Sequence, residues 1–152
     1  MRLKLEVQEK KLDDLLKKIE SVGDDELKAH LSKYFCIRIS GYLENSIKTL
    51  IITYSEGSSP QAIANFLQNE LKYITNLSPE KISALLKKFS DDWEYKFNQK
   101  VTEKQCASLN SIISNRNNIA HGQPDSISAK VINQYYLDLK GVIAILKETI
   151  KR

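Results

Sequence analysis

The chain predicts an all-α fold, a compact antiparallel helical bundle of about five to seven helices. Three observations predict it. Apolar residues recur at helical spacing almost throughout; Ser, Thr, Asp and Pro stand where helices begin; and no segment carries the strict alternation of a strand. With 152 residues, no internal repeat, no low-complexity linker and no second composition regime, residues 1–152 read as one helical domain, long enough for a core.

The elements follow in order. Leu5, Leu12 and Ile19 repeat every seven residues and Leu15, Leu16 and Val22 fill the same stripe, so a first helix covers about residues 3–21. Gly23-Asp24-Asp25 breaks it, and an Asp there caps the next helix. A long second helix runs through Leu27, Leu31, Tyr34, Phe35, Arg38, Tyr42, Leu43, Ile47, Leu50, Ile51 and Tyr54. Gly41 in its middle costs up to about 1 kcal/mol against alanine; close packing on another helix is one explanation, an incidental glycine the other. After a turn at Glu56-Gly57-Ser58-Ser59, Ser59-Pro60 supplies a cap and an N1 proline for a third helix with Ile63, Phe66, Leu67 and Leu71 as its buried stripe. Ser78-Pro79 repeats the signal for a fourth, with Ile82, Leu85, Leu86 and Phe89. Asp91 to Phe97 reads as an aromatic-rich connector or short helix. Thr102-x-x-Gln105 is a capping box opening a helix through Cys106, Leu109, Ile112 and Ile113. The last helix starts near Ser126 or Ser128 and carries Val131, Ile132, Tyr135, Leu139, Val142, Ile143, Leu146 and Ile150.

Composition narrows the function classes. A hydrophobic content of 41% with 28% charged residues is that of an ordinary water-exposed domain, and a net charge of +4 is compatible with a nucleic-acid partner without pointing to one. No apolar stretch is long enough for a bilayer, and the start Met1-Arg2-Leu3-Lys4-Leu5-Glu6 is amphipathic, unlike a secretory signal; a cytoplasmic protein without membrane contact is expected. Cys36 and Cys106 lack CxxC spacing and read as two reduced thiols. There is no phosphate-binding glycine loop, no His-Glu-x-x-His and no nucleophile elbow. Asp24-Asp25 and Asp91-Asp92 sit where caps want them, so no metal site and no cofactor is expected. The pairs Lys10-Lys11, Lys17-Lys18 and Lys87-Lys88 are solvated helix faces, available to RNA phosphates.

The chemistry concentrates in Ser114-Asn115-Arg116-Asn117-Asn118-Ile119-Ala120-His121-Gly122. Arginine offers a planar fork of donors and stays charged at any working pH, whereas histidine can accept and give a proton near neutrality. Together they form a minimal kit for cleaving a phosphodiester without a metal. Five positions turn a helix through about 140°, so the two side chains would not share a face of an uninterrupted helix. Gly122 and Pro124, however, mark a helix that stops at a left-handed glycine. Arg116 then projects from the last full turn and His121 from the helix end, converging there or meeting the same residues of a second chain. Alternatively His121 merely offsets the helix dipole and Arg116 forms a surface salt bridge. The negative helix end also repels phosphate, so His121 needs cationic help, and Arg116 is the nearest source.

Arg116-Asn117-x-x-Ala120-His121 resembles the signature of the HEPN superfamily: an Arg, a polar residue, then a His four to six places on. Arg38-Ile39-Ser40-Gly41-Tyr42-Leu43-Glu44-Asn45-Ser46 resembles the long early helix of its RiboL-PSP and MAE-like branch. The likeness covers nearly the whole chain in its order of helices, and these two stretches at residue level. It implies a helical bundle that dimerises and, in many members, cuts RNA without metal. On that basis Arg116 and His121 are the expected catalytic pair of an endoribonuclease, Arg116 clamping the scissile phosphate and His121 moving the proton. Asn117, in the polar position after Arg, and Asn118 would hold substrate or the arginine. Glu44 would pair with Arg116 from behind, or remain a solvated carboxylate. Tyr42 reads as core and His30, which has no Arg at motif spacing, as structural or exposed. The resemblance further implies an RNA substrate, a homodimer with the motifs facing each other, and a toxin or phage-defence role, which leaves room for an antitoxin or other inhibitory partner. A non-catalytic HEPN-like module that binds nucleotide, RNA or protein is the rival reading.

Overall fold

The computed structural model describes residues 2–57 and 59–151 of the chain. Met1 and, within the 56–59 turn, Ser58 lie outside them. Seven helices and no strand are present among the described residues, 81% of which are helical. They are α1 (Arg2–Glu20), α2 (Asp25–Ser55), α3 (Gln61–Leu71), α4 (Pro79–Phe89), α5 (Asp91–Lys100), α6 (Glu103–Ala120) and α7 (Ala129–Thr149). The all-α class is as expected, and the connector at Asp91 is a full helix, α5.

Local chemistry explains where most helices start. Asp24 accepts from Leu27 N at 2.8 Å, Ser78 from Lys81 N with Pro79 in the first turn, Ser90 from Trp93 N and Ser128 from Val131 N, each satisfying an amide that the helix itself leaves open. The third start differs from expectation. Pro60 is itself the N-cap of α3 and no side chain caps it.

The core forms where α2 and α7 pack on each other, with α1 and α6 against both and α5 closing on α7. Leu5, Leu12 and Ile19 of α1, Phe35, Ile39 and Ile47 of α2, and Ile132, Leu139 and Val142 of α7 are fully buried. Phe35 meets Tyr136 edge-on at 5.2 Å, and Trp93 of α5 stands edge-on to Tyr54 of α2 at 4.8 Å. Tyr42 is core, as expected, and the Tyr136 hydroxyl donates to Asp13 at 2.6 Å, tying α7 to α1.

One expectation about packing fails, and of the two explanations for Gly41 the incidental glycine holds. The stripe of α3 is not buried: Ile63 is 48% and Phe66 60% exposed, and only Leu71 reaches the core. The reason is tertiary, since among the described helices α3 packs on α2 alone and its other side faces outward. Gly41 is exposed, and a Cβ there would meet nothing within 4 Å, so no helix packs closely on it. Tyr34, Ile37 and Gly41 instead leave an open stripe on α2.

Candidate active site

Helix α6 delivers the Arg/His pair and is fixed at both ends. At its start the capping box forms as predicted: Thr102 Oγ1 accepts from Gln105 N at 3.1 Å, and Gln105 Oε1 accepts from Thr102 N at 2.9 Å. Gln105 lies so close to α7 that a Cβ on Gly141 would stand 2.6 Å from Gln105 Nε2. Midway, Leu109 and Ile112 enter the core, and the Cys36 thiol of α2 lies 3.8 Å from the Ile112 carbonyl oxygen. Burial pushes that thiol up to about 12, reinforced by the Asp125 carboxylate and opposed by the nearby Arg116 charge. It is a packing group, not a nucleophile.

The end of α6 is a complete Schellman motif. His121 N–H donates to the Asn117 carbonyl, Gly122 N–H to Ile119 and Gln123 N–H to Asn118 at 2.8 Å, with Gly122 at φ +65°. His121 is the C-cap and lies exposed. The chain then turns back, held by two side chains. Asn115, 6% exposed, accepts from both the Ser126 amide (2.9 Å) and the Ser126 hydroxyl (3.2 Å). Asp125 accepts from Ile127 N and pairs with Lys33 of α2 at 3.1 Å, its own side chain 7% exposed. The backbone bearing His121 is therefore fixed from α6 and from α2.

Arg116 lies half-buried one turn before the helix end. Its Nη1 donates to Asn76 Oδ1 at 2.7 Å, and among the described residues its other N–H groups make no hydrogen bond. Asn76 belongs to the link between α3 and α4. Its backbone N–H donates to Glu44 Oε1 at 3.1 Å, and the Thr75 hydroxyl donates to the same oxygen at 3.4 Å. Glu44 thus reaches Arg116 through Asn76, neither as the direct pair nor as the solvated carboxylate that the sequence left open.

A family model described as RiboL-PSP-HEPN matches residues 4–152, practically the whole chain. The chain belongs to that family. Comparison with curated proteins and with solved structures gives no match. In this HEPN domain the motif lies on α6 and its C-cap, and the early stretch Arg38–Ser46 lies within α2.

The structure brings some predicted residues together and leaves others apart. Arg116 and Glu44 join in one network through Asn76. No hydrogen bond joins Arg116 to His121 among the described residues, and the imidazole has no side-chain partner there. Asn117 is exposed and Asn118 half-buried, and neither amide makes a side-chain hydrogen bond among the described residues. His30 is exposed, 3.9 Å from Glu26 one turn earlier, away from the site. Among the described residues no three His, Cys, Asp or Glu side chains gather as metal ligands would, and no helix is long and apolar enough to cross a membrane. Sequence reasoning missed Asn76, Asn115 and Asp125. Asp125 had a local signal, an Asp after Pro124 whose carboxylate accepts the amide two residues on. The tertiary contacts of Asn76 and Asn115 had none.

Proposed function

We propose that this HEPN domain is a metal-independent endoribonuclease in which Arg116 and His121 act on one phosphodiester. The imidazole of His121 takes the proton from a ribose 2′-hydroxyl, the resulting oxygen attacks the adjacent phosphorus, and Arg116 steadies the charge on the pentavalent phosphate. A second imidazole or a water protonates the 5′-oxygen as the P–O bond breaks, leaving a 2′,3′-cyclic phosphate. DNA lacks the nucleophile and is not a substrate. The observation that carries the reading is the state of Arg116: gripped on one nitrogen by Asn76, with its other donors unspent among the described residues, five positions before an exposed histidine.

The working unit is a homodimer with the motifs facing each other. Arg116 and His121 lie five positions apart, about 140° round an uninterrupted helix, and a single imidazole cannot accept and donate a proton at once. A twofold axis supplies two of each. It also gathers the positive charge needed against the negative ends of two α6 helices. That His121 and the remaining donors of Arg116 have no hydrogen-bond partner among the described residues supports this. The biological setting that the resemblance suggests is a cytoplasmic toxin or phage-defence effector held in check by an antitoxin.

The test is incubation of purified wild type, Arg116→Ala and His121→Ala with a mixed RNA pool in excess chelator, with product ends analysed. Cleavage giving cyclic phosphate, lost in both folded variants, is expected. Activity that needs added magnesium, or that persists equally in both variants, rejects the mechanism. Mixing the two variants tests the dimer: a shared cleft in the mixed dimer keeps one Arg116 and one His121 and, with water as the proton donor, regains part of the activity that neither variant holds alone. The second reading, a non-catalytic module binding nucleotide, RNA or protein, is favoured by one observation: among the described residues no side chain orients the His121 imidazole. It predicts binding without cleavage.

A further inference from the structure

Asn76 is the one described residue other than glycine with a positive φ, +51°. Asparagine tolerates this left-handed region better than other side chains, yet it still costs free energy, and such outliers persist where surrounding contacts enforce them. Here the enforcing contacts are visible. Glu44, from the middle of α2, holds the Asn76 amide and the Thr75 hydroxyl, while the Ser78 amide donates to the Asn76 carbonyl at 2.9 Å. The outcome is an amide oxygen aimed at one nitrogen of Arg116. Three stretches far apart in sequence converge on a single guanidinium.

The chemistry of the contact is selective. A carboxylate in the place of the Asn76 amide would hold the arginine equally well but cancel its charge, and a phosphate would then be attracted less. An amide oxygen accepts the hydrogen bond and leaves the charge in place. The carboxylate in the network, Glu44, is spent one step away on a backbone amide and a hydroxyl.

We infer that Asn76 is a positioning residue for Arg116: held in its left-handed conformation by Glu44, it fixes the guanidinium on one edge and leaves its charge and remaining donors for a phosphate. This rests on the reading of the site as an RNA-cleaving cleft. It places the control of Arg116 in the α3–α4 link, outside the motif helix.

Two variants of Asn76 separate charge from orientation. Asn76→Gly keeps the backbone conformation accessible and removes the amide, so it should fold; Asn76→Asp keeps the shape and adds a negative charge. Cleavage is measured under single turnover. Binding of a fluorescein-labelled single-stranded RNA is measured against salt in a His121→Ala background, where nothing is cut. For Asn76→Gly, affinity and salt dependence stay near wild type while the cleavage rate falls about 10- to 100-fold, because a loosened arginine is misplaced but still charged. For Asn76→Asp, affinity falls about tenfold and the salt slope drops by about one, as it does for Arg116→Ala. Wild-type cleavage in Asn76→Gly, or an unchanged salt slope in Asn76→Asp, overturns the inference while leaving the proposed function standing. If Arg116→Ala alters neither binding nor cleavage, it is the proposed function that falls. The inference is then decided by nitrogen-15 spectra of the arginine side chains: Asn76→Gly should sharply speed rotation of the Arg116 guanidinium, and an unchanged signal overturns it.

Discussion

Replacing Asn115 by alanine should cost about 1–2 kcal/mol and release the segment that carries His121. The figure comes from the contacts. Asn115 Oδ1 accepts two hydrogen bonds, from the amide and the hydroxyl of Ser126, each contributing about 1 kcal/mol net. The lost bond from its Nδ2 to the Ser111 carbonyl matters less, because that carbonyl lies within the helix ladder. Ser126 is exposed, so its freed amide reaches water and the full penalty of a buried orphan does not apply. Alanine also favours the helix by roughly 0.5 kcal/mol. In a chain of this size the net loss lowers the thermal midpoint by a few degrees. Urea denaturation gives the stability change, and limited proteolysis across residues 121–128 reports the loop. Asn117→Ala, an exposed position on the same helix, is the control and should change stability by less than about 0.5 kcal/mol. If Asn115→Ala matches that control in both measurements, the claim that Asn115 anchors the turn is wrong.

Other predictions follow from single contacts. Gly141→Ala should gain about 1 kcal/mol of helix propensity only when Gln105 is also alanine, because the new Cβ otherwise displaces the capping-box side chain 2.6 Å away; a urea double-mutant cycle with no coupling would contradict this. Gly122→Ala should cost about 1–2 kcal/mol for its left-handed backbone, Gly122→Asn less, and Gly41→Ala should stabilise by roughly 0.5–1 kcal/mol, all read by urea midpoints. Burial, then Asp125, raises Cys36, and burial, then Glu9, raises Tyr42, each to about 12. Their unfolded values lie near about 8.5 and about 10. Both are neutral in the folded state where the unfolded chain ionises, so their contribution to stability is whole below pH 8 and declines as pH rises through 9 towards 12. Unfolding midpoints at pH 8 and pH 10 measure this; a midpoint that rises with pH would refute it. At pH 8 a thiol reagent should label Cys106 and spare Cys36 until the protein unfolds.

What was legible in the sequence was what local physics decides. The heptad of Leu5, Leu12 and Ile19 reads directly as a buried stripe, and the Thr102/Gln105 box and Ser78-Pro79 read as helix starts, because each acts within one turn of chain. Periodicity says that a helix has an apolar side; it does not say that anything covers it. Ile63 and Phe66 are exposed for that reason, and the open space at Gly41 escapes for the same one. The site divides along the same line. Arg116, His121 and the glycine stop are neighbours in sequence, so their spacing announces them. Asn76 meets Arg116 from 40 residues away, and Glu44 meets Asn76 from 32. Only the packed chain joins them.

The two motif residues are held by opposite means, and that difference bears on how the site works. Arg116 is fixed by tertiary contact: a side chain from another part of the chain grips it, and a carboxylate on α2 grips that side chain in turn. His121 is fixed through its backbone, by the Schellman turn behind it and the Asn115 and Asp125 anchors beyond it, while its ring has no partner among the described residues. A residue that must meet a phosphate needs a settled position, since a displacement of about 1 Å can cost as much as 100-fold in rate. A residue that moves protons needs its second nitrogen held, which fixes the tautomer and the ring. Among the described residues nothing on this chain does that for His121. In the proposed reaction that partner would come from the RNA or from the facing subunit, so binding and assembly would complete the proton-transfer half of the proposed site beside an Arg116 already gripped by Asn76.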